Sequence, residues 1–188
     1  MIMMKKLMAV ASLLTLAISA STSAASFTLS SNDIKQGEFM SQVHEFKGFG
    51  CTGDDLSPHL KWENAPKGTK SFAITAYDPD APTGSGWWHW QVVNIDKSTT
   101  EIAQGAGSEG HAAWLSTASH VDNDYGSPRF GGACPPQGHG VHRYQFTVHA
   151  LSVEKLELPV NASGALAGYM INANSIATST IEALYKRD

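Results

Sequence analysis

Clusters of Gly, Pro, Asn and Asp interrupt this chain at short intervals, and they limit the length of any regular element between them. The segments that remain are short, rich in β-branched and aromatic residues, and apolar at alternate positions. The clearest of them are 71–77, 91–95 and 143–151. Several short strands at such spacing are typical of two packed antiparallel sheets, so the sequence predicts an all-β sandwich.

One segment near the C-terminus has helical spacing instead. Apolar residues recur there every three or four positions, and Asn161 or Ser163 can supply the N-cap oxygen. The pattern predicts an amphipathic C-terminal helix packed on the sandwich. Its apolar residues are Leu166, Met170, Ala173, Ala177, Ile181 and Leu184. Segment 102–130 is Gly-rich and long for a connection, so it either carries function or contains short elements that the pattern does not show.

The N-terminal segment has the order of regions found in a secretory signal peptide. Two lysines precede an apolar stretch at 7–18, and small residues follow at 19–25. The apolar stretch is shorter than the roughly 20 residues of a membrane span, and no later stretch is apolar enough to be one. We therefore expect cleavage after about Ala24 and a periplasmic or secreted product without stable membrane insertion. Residues 25–188 then form a single domain of ordinary size.

The balance of charge argues against nucleic acid as a partner. The formal net charge is −4, and residues 1–24 carry two Lys and no acid, so the exported chain is more acidic still. The mature chain also has no basic run of the kind that contacts a phosphate backbone.

Two cysteines, Cys51 and Cys134, are present in the sequence. Export would place both in an oxidising compartment, where paired thiols are normally oxidised. We therefore expect one disulfide between them. The alternative is two buried free thiols, because unpaired Cys is also common in protein cores.

Two blocks of the sequence contain most of the residues that can carry chemistry. The first, 77–94, has two acids, three tryptophans and a histidine within thirteen positions. The second, 131–144, is rich in Gly and Pro and ends at His142 and Tyr144, which are two residues apart and so project from the same face of a strand. Both blocks lie at the ends of predicted strands, where binding loops usually are.

In its motifs and their order, the chain resembles the phosphatidylethanolamine-binding proteins, also called Raf kinase inhibitor-like proteins, and within them the exported bacterial YbhB/YbcL-type branch. The resemblance spans essentially all of 25–188. Its motifs are Cys51-Thr52-Gly53-Asp54-Asp55-Leu56-Ser57-Pro58, Asp78-Pro79-Asp80-Ala81-Pro82, Trp87-Trp88-His89-Trp90, Asn123-Asp124-Tyr125-Gly126, Cys134-Pro135-Pro136 and His142-Arg143-Tyr144.

This resemblance implies a Greek-key antiparallel β-sandwich with peripheral helices and a small anion pocket at one end. It implies that the loops of the two cysteines border that pocket. It also implies a non-enzymatic binding protein without a cofactor, whose ligand is phosphate-like or another small anion. The residues that it places around the pocket are Asp78, Pro82, Trp87, His89, Cys134, Pro135, Pro136, His142 and Tyr144.

The chemistry of these residue types agrees with such a pocket. An anion needs converging hydrogen-bond donors, which His89, His142 and the Tyr144 hydroxyl can supply in a cavity braced by Pro. Asp78 is unexpected there, because a bare carboxylate repels an anion. Its presence is explained if it orients or charges a histidine ring, or if it meets the ammonium group of a zwitterionic head group.

For several neighbouring residues a structural role is the simpler interpretation. Asp80, next to Pro, more often closes a turn than binds a ligand. Trp88 and Trp90 alternate with His89, so we expect both on the opposite face of the strand, in the core. Arg143 should be exposed or ion-paired. The histidines outside the two blocks are most simply surface or satisfied structural residues, namely His44, His59, His111, His120 and His149.

Three other functions stay open at this point. Segment 106–110, Ala-Gly-Ser-Glu-Gly, approaches the nucleophile elbow of serine hydrolases but has Ala in place of the first Gly. Asp78, His89 and His142 could hold a metal ion, although no H-x-H or C-x-x-C spacing supports this. The third is an interaction module, an inhibitor or effector that recognises a phosphorylated or acidic segment of a partner protein. A homodimer is a further option for the assembly.

Overall fold

The computed structural model describes residues 25–109 and 118–188. The predicted signal peptide and His111 lie outside these residues. The strands are β1 (Thr28–Ser30), β2 (Lys47–Gly48), β3 (Cys51–Thr52), β4 (Leu60–Glu63), β5 (Ser71–Asp78), β6 (Trp87–Asp96), β7 (Glu101–Ile102), β8 (Ser119–His120), β9 (His142–Leu151) and β10 (Ser175–Tyr185). The helices are a 3₁₀ turn (Gln42–His44) and α1 (Gly164–Asn174). Neither of these described helices has the length and apolar character that crossing a bilayer requires.

Two antiparallel sheets form a sandwich. The larger sheet has the strand order β10-β9-β5-β6-β8, the smaller sheet has the order β1-β4-β7, and β2 and β3 form a separate hairpin. The main core contains Trp62 from the smaller sheet together with Phe72 and Phe146 from the larger sheet. The predicted all-β sandwich with a peripheral helix is therefore confirmed.

The predicted C-terminal helix is confirmed only in its first half. α1 begins after Ser163, whose hydroxyl accepts a hydrogen bond from the Leu166 N–H, and it ends at Asn174. The next eleven residues form β10, which pairs with β9. The helical prediction was therefore wrong for the last three apolar positions, Ala177, Ile181 and Leu184.

The composition of β10 explains why the helix stops. Segment 175–180 reads Ser-Ile-Ala-Thr-Ser-Thr, and its β-branched and hydroxyl side chains disfavour a helix. Ala177 and Ile181 are four residues apart, a spacing that fits both a helical face and a strand of period two. The burial of side chains alternates with the period of two of a strand. Ile181, Ala183 and Tyr185 are buried, and the residues between them are partly exposed.

A β-bulge in β6 decides which side chains reach the interior of the sandwich. The pairing of β6 with β5 shifts by one residue, because Ala76 pairs with Trp90 whereas Tyr77 pairs with Trp88. At a bulge two successive residues lie opposite one, so the alternation of faces is interrupted. His89 and Trp90 consequently both face the interior.

The two tryptophans that were predicted to share a core face lie on opposite faces of β6. Trp90 is fully buried and packs edge-on against Phe130 in the main core, as expected, but it lies on the same face as His89, which was not expected. Trp88, in contrast, packs under α1, where Gly164 and Gly168 approach its ring. A Cβ atom at Gly164 would lie only 2.6 Å from Trp88 Cδ1, so the helix can rest on this indole because glycine stands there.

Cys51 and Cys134 form the predicted disulfide. It joins the β2–β3 hairpin to the loop that precedes β9, two segments separated by 83 residues in sequence. In the chain-entropy account, a bond that closes so long a loop stabilises the fold by about 3–4.5 kcal/mol.

Replacing both cysteines with serine should lower the melting temperature by roughly 6–18 °C, because the cross-link no longer restricts the unfolded chain. Calorimetric melting of the oxidised protein, the reduced protein and the double variant measures the change. The reduced protein and the variant should melt together. An unchanged melting temperature on reduction would show that the bond does not stabilise the fold.

Candidate functional site

A cavity of about 190 Å³ lies at one end of the larger sheet. The antiparallel pairings bring three chain segments to this end, since Asp78 at the end of β5 pairs with Trp87 at the start of β6, and β9 begins on the other side of β5. All nine residues that the sequence places around a pocket line this cavity: Asp78, Pro82, Trp87, His89, Cys134, Pro135, Pro136, His142 and Tyr144. That they bind a ligand stays a prediction. Four further residues complete the lining, namely Phe49, Ala81, Thr83 and Tyr125.

Asp78 is buried, and protein donors engage both of its carboxylate oxygens. Oδ1 accepts a hydrogen bond from the Asp80 N–H at 2.8 Å, and Oδ2 accepts one from His142 Nδ1 at 2.7 Å. Only 2% of Asp78 and 1% of His142 is exposed. The carboxylate therefore fixes the proton of His142 on Nδ1 and orients its ring, which accounts for an acid at this place in the cavity wall.

His139 continues this series of hydrogen bonds to the surface. Its Nδ1 lies 2.7 Å from Nε2 of His142, and the two rings meet edge-on at 5.0 Å. Because His142 already donates from Nδ1 to Asp78, the two facing nitrogens share a single proton. His139 is exposed and stands between Gly138 and Gly140, which both have positive φ. No role was predicted for it, although its spacing of three from His142 is a usable signal.

The His89 ring is held from one side only. Its Nδ1 donates to the Gly131 carbonyl at 2.7 Å, whereas its Nε2 has no hydrogen-bond partner among the described residues. Burial lowers the pKa of His89 and outweighs the Gly131 carbonyl and the Asp78 carboxylate, which favour the protonated ring. In the neutral ring Nε2 is a hydrogen-bond acceptor.

Two more buried polar atoms in the cavity wall lack a partner within the described chain, Trp87 Nε1 and the Tyr144 hydroxyl oxygen. Burial, together with the nearby charge of Asp78, raises the pKa of Tyr144, so its hydroxyl keeps the proton. An unpaired buried polar group costs about 1–3 kcal/mol, and such groups are few in folded proteins. Three of them in one small cavity make it the candidate binding site.

Tyr125 forms the remaining aromatic wall. Its ring meets Trp87 and His89 edge-on at centroid distances of 5.2 and 5.7 Å, and its hydroxyl donates to the Gly132 carbonyl at 2.9 Å. The sequence places Tyr125 in a motif but assigns it no role. Its position depends on the fold of the 123–127 loop, which Asn123 closes by accepting hydrogen bonds from the N–H groups of Tyr125 and Ser127.

Asp55 holds the segment that supplies the carbonyl partner of His89. Its Oδ1 accepts a hydrogen bond from the Gly132 N–H at 2.6 Å, and its Oδ2 pairs with Arg129. The Gly131 N–H in turn donates to the His89 carbonyl at 2.9 Å. Asp55 in the first motif is therefore a brace behind His89 and does not line the cavity.

Arg143 is ion-paired, as expected, and its partner is Asp80, whose carboxylate was expected to close a turn but bonds Arg143. The Arg143 guanidinium donates from Nε and Nη2 to the two Asp80 oxygens at 2.9 and 2.8 Å, and the Arg143 N–H donates to Oδ2. Hydrogen bonding to Arg143 lowers the pKa of Asp80. This pair fastens the β5–β6 turn to the start of β9 outside the cavity.

The remaining histidines of the described chain have structural contacts. His44 bonds the Leu56 carbonyl and His59 bonds Glu101. His149 bonds Thr75 and Ser175, and His120 packs edge-on against Trp90.

Two other functions left open by the sequence were a serine hydrolase with Ser108 as nucleophile and a metal site. The Ser108 hydroxyl donates to the Asp55 carbonyl and accepts from the Ser57 N–H, so it connects its own loop to the segment that contains Asp55 and Ser57. Within residues 25–109 and 118–188, no group of three or more His, Cys, Asp or Glu is placed to hold a metal ion.

Known proteins resemble this chain in sequence and in structure. Residues 30–186 match the family model for phosphatidylethanolamine-binding protein. The chain is 52% identical over 169 residues to the UPF0098 protein YbcL of Escherichia coli K12, which covers 90% of this chain and 92% of YbcL. It is 46% identical over 157 residues to YbhB of the same organism, covering 84% of this chain and 98% of YbhB.

A crystal structure of Escherichia coli YbcL, described as a new member of the mammalian PEBP family, is similar to this structure with a TM-score of 0.84 at 52% identity. The match covers 87% of this chain and 100% of that one.

The Asp78→Asn variant should be less stable by about 1–3 kcal/mol, because the amide offers one acceptor oxygen where the carboxylate offers two. Urea unfolding measures the difference, with Asp54→Asn as the control, since Asp54 is exposed. Equal stability of the two variants would contradict the positioning role of Asp78.

Proposed function

Because the chain belongs to the phosphatidylethanolamine-binding protein family, we propose that it is a non-enzymatic binding protein whose cavity takes a phosphate-like anion. One observation carries this proposal: Trp87 Nε1, His89 Nε2 and the Tyr144 hydroxyl are buried in the wall of one cavity without a partner in the described chain. A bound ligand would supply those partners, and burial would strengthen each hydrogen bond.

The size of the cavity supports a small ligand group. Its volume of about 190 Å³ is below the range of about 300–1,000 Å³ that is usual for sites of drug-sized molecules. A tetrahedral oxyanion fits such a space and presents several oxygens at once. The Trp87 N–H and the Tyr144 O–H can each donate to one of them.

The surrounding charges are compatible with an anion. Both oxygens of Asp78 are engaged by His142 and by the Asp80 N–H. His142 can reach an anion only through Nε2, which His139 now occupies. Binding through His142 therefore requires His139 to turn away, after which the His142 ring would stand between Asp78 and the anion.

We further propose that the protein acts in the periplasm or outside the cell. The Cys51–Cys134 disulfide supports this location, because such bonds persist in oxidising compartments and are rare in the cytosol.

A second candidate function is recognition of a phosphorylated or acidic segment of another protein. Phe49 favours it, since this aromatic residue lines the cavity and is nevertheless 75% exposed. It stands in the β2–β3 turn with a φ of 50°, a conformation that is strained for a bulky side chain. An exposed ring beside an anion site could contact the residues that flank a phosphate group.

Removing one donor should weaken the binding of inorganic phosphate about 10- to 100-fold, the effect of losing a hydrogen bond to a charged group. We expect this for both Tyr144→Phe and Trp87→Phe in calorimetric titrations. Tyr169→Phe is the matched control, because Tyr169 is 70% exposed on α1 and should bind phosphate as the wild type does.

Wild-type affinity in both cavity variants would show that the cavity is not the binding site. A phosphopeptide that binds more tightly than phosphate, with the difference lost in Phe49→Ser, would favour the protein-interaction function.

A further inference from the structure

We propose that His139 is a pH-operated gate, which covers Nε2 of His142 near neutral pH and releases it when both rings are protonated. This inference rests on the proposed function, because it concerns how an anion reaches His142 in the same cavity. Its basis is the hydrogen bond of 2.7 Å between His139 Nδ1 and His142 Nε2. His142 is buried in the cavity wall, whereas His139 is exposed at the surface.

The number of protons on the two rings decides whether this bond can exist. His142 donates from Nδ1 to Asp78, so when both rings are neutral its Nε2 accepts and His139 Nδ1 donates. One added proton leaves the bond in place, because a protonated His142 donates from Nε2 to His139. A second added proton puts an N–H on each of the two facing nitrogens. Two such donors cannot stay 2.7 Å apart, so the rings must separate.

Asp78 compensates the first of these protons but not the second. Its carboxylate accepts from His142 Nδ1 at 2.7 Å, so it favours a positive charge on that ring. A charge on the His139 ring would stand farther from it, behind His142. Two further carboxylates on neighbouring segments are already ion-paired, namely Asp80 with Arg143 and Asp188 with Lys186.

The other ionisable groups beside the two rings keep their charge as the pH falls. Tyr144 stacks on the His142 ring at a centroid distance of 6.5 Å, and Tyr185 pairs with His142 from β10. Burial raises the pKa of both hydroxyls, so both stay neutral. Arg187, whose carbonyl accepts from the loop of His139, is permanently positive. The protons of the two histidines therefore control the state of the bond.

The loop of His139 leaves the ring free to turn away. Residues 137–141 are exposed, and Gly138 and Gly140 on either side of His139 have φ of 72° and 100°. A Cβ atom at either glycine would meet nothing within 4 Å, so open space surrounds this part of the loop. The N–H groups of Gly138 and His139 both donate to backbone carbonyls. The ring can therefore leave by rotation of its side chain while the backbone stays in place.

Acidification should open this gate and strengthen the binding of an anion. Once released, a protonated His142 presents its Nε2–H to the cavity as a charge-assisted donor. At higher pH the anion must first break the bond between the two histidines. The His139→Ala substitution removes that bond. His139→Asn retains it, because the amide offers both a donor and an acceptor near the place of Nδ1 and does not titrate.

The test is calorimetric titration of sulfate into the wild type and both variants, at constant ionic strength and between about pH 5 and 8, where histidine titrates. Sulfate, unlike phosphate, keeps one charge over this range. At the upper pH, His139→Ala should bind sulfate about 10- to 100-fold more tightly than the wild type, the effect of one charge-assisted hydrogen bond. The two should converge at the lower pH, and His139→Asn should stay weak throughout.

Gln137→Ala is the matched control, because Gln137 is exposed in the same loop and bonds the Asp188 carbonyl. It should follow the wild type at every pH. A ratio between His139→Ala and the wild type that does not change with pH overturns the gate.

A second measurement needs neither a variant nor an anion. NMR detects a scalar coupling between two hydrogen-bonded nitrogens, and that between His139 Nδ1 and His142 Nε2 should be present at about pH 8 and absent at about pH 5. A coupling that persists at the lower pH, or is missing at the higher one, overturns the gate and leaves the anion site standing. Loss of the coupling without sulfate binding at any pH overturns the anion site and leaves the proton-driven separation of the rings standing.

Discussion

The buried hydrogen bond between Asp78 and His142 joins the end of β5 to the beginning of β9, and the cavity is organised around it. A buried carboxylate is costly unless its oxygens are bonded, so the turn that follows must present the Asp80 N–H to the second oxygen. Asp80 itself pairs with Arg143 on the outer side. The β5–β6 turn is thus fixed to β9 by a buried hydrogen bond inside the cavity wall and by an ion pair outside it.

Hydrogen bonds, the disulfide and an arginine also hold the opposite wall of the cavity. Asp55 fixes Gly132, the disulfide fixes Cys134, and Arg187 donates to the carbonyls of Gly50 and Pro135. A cavity whose frame is already ordered loses little conformational freedom when a ligand binds. These polar groups of the frame have partners within the protein, whereas Trp87 Nε1, His89 Nε2 and the Tyr144 hydroxyl have none among the described residues.

Strand patterns predicted the sandwich, and two cysteines in a chain expected to be exported predicted the disulfide. The resemblance to the family implied nine residues around a pocket, and all nine line the cavity. The sequence could not predict where α1 ends, since the four-residue spacing of Ala177 and Ile181 fits a strand as well as a helix. It placed Trp88 and Trp90 on one face opposite His89, whereas a bulge, which leaves no mark in the composition, turns Trp90 to the side of His89. The roles of His139 and the tautomer of His89 depend on partners that are distant in sequence or supplied by the backbone.

The central claim is that three unpartnered atoms form an anion site, and a crystal structure of the protein grown with inorganic phosphate tests it most directly. Phosphorus anomalous density would locate the ion independently of any interpretation of its shape. We expect one phosphate in the cavity with its oxygens about 2.7–3.1 Å from Trp87 Nε1, His89 Nε2 and the Tyr144 hydroxyl. Phosphate ordered elsewhere on the protein, with only water in the cavity, would contradict the claim.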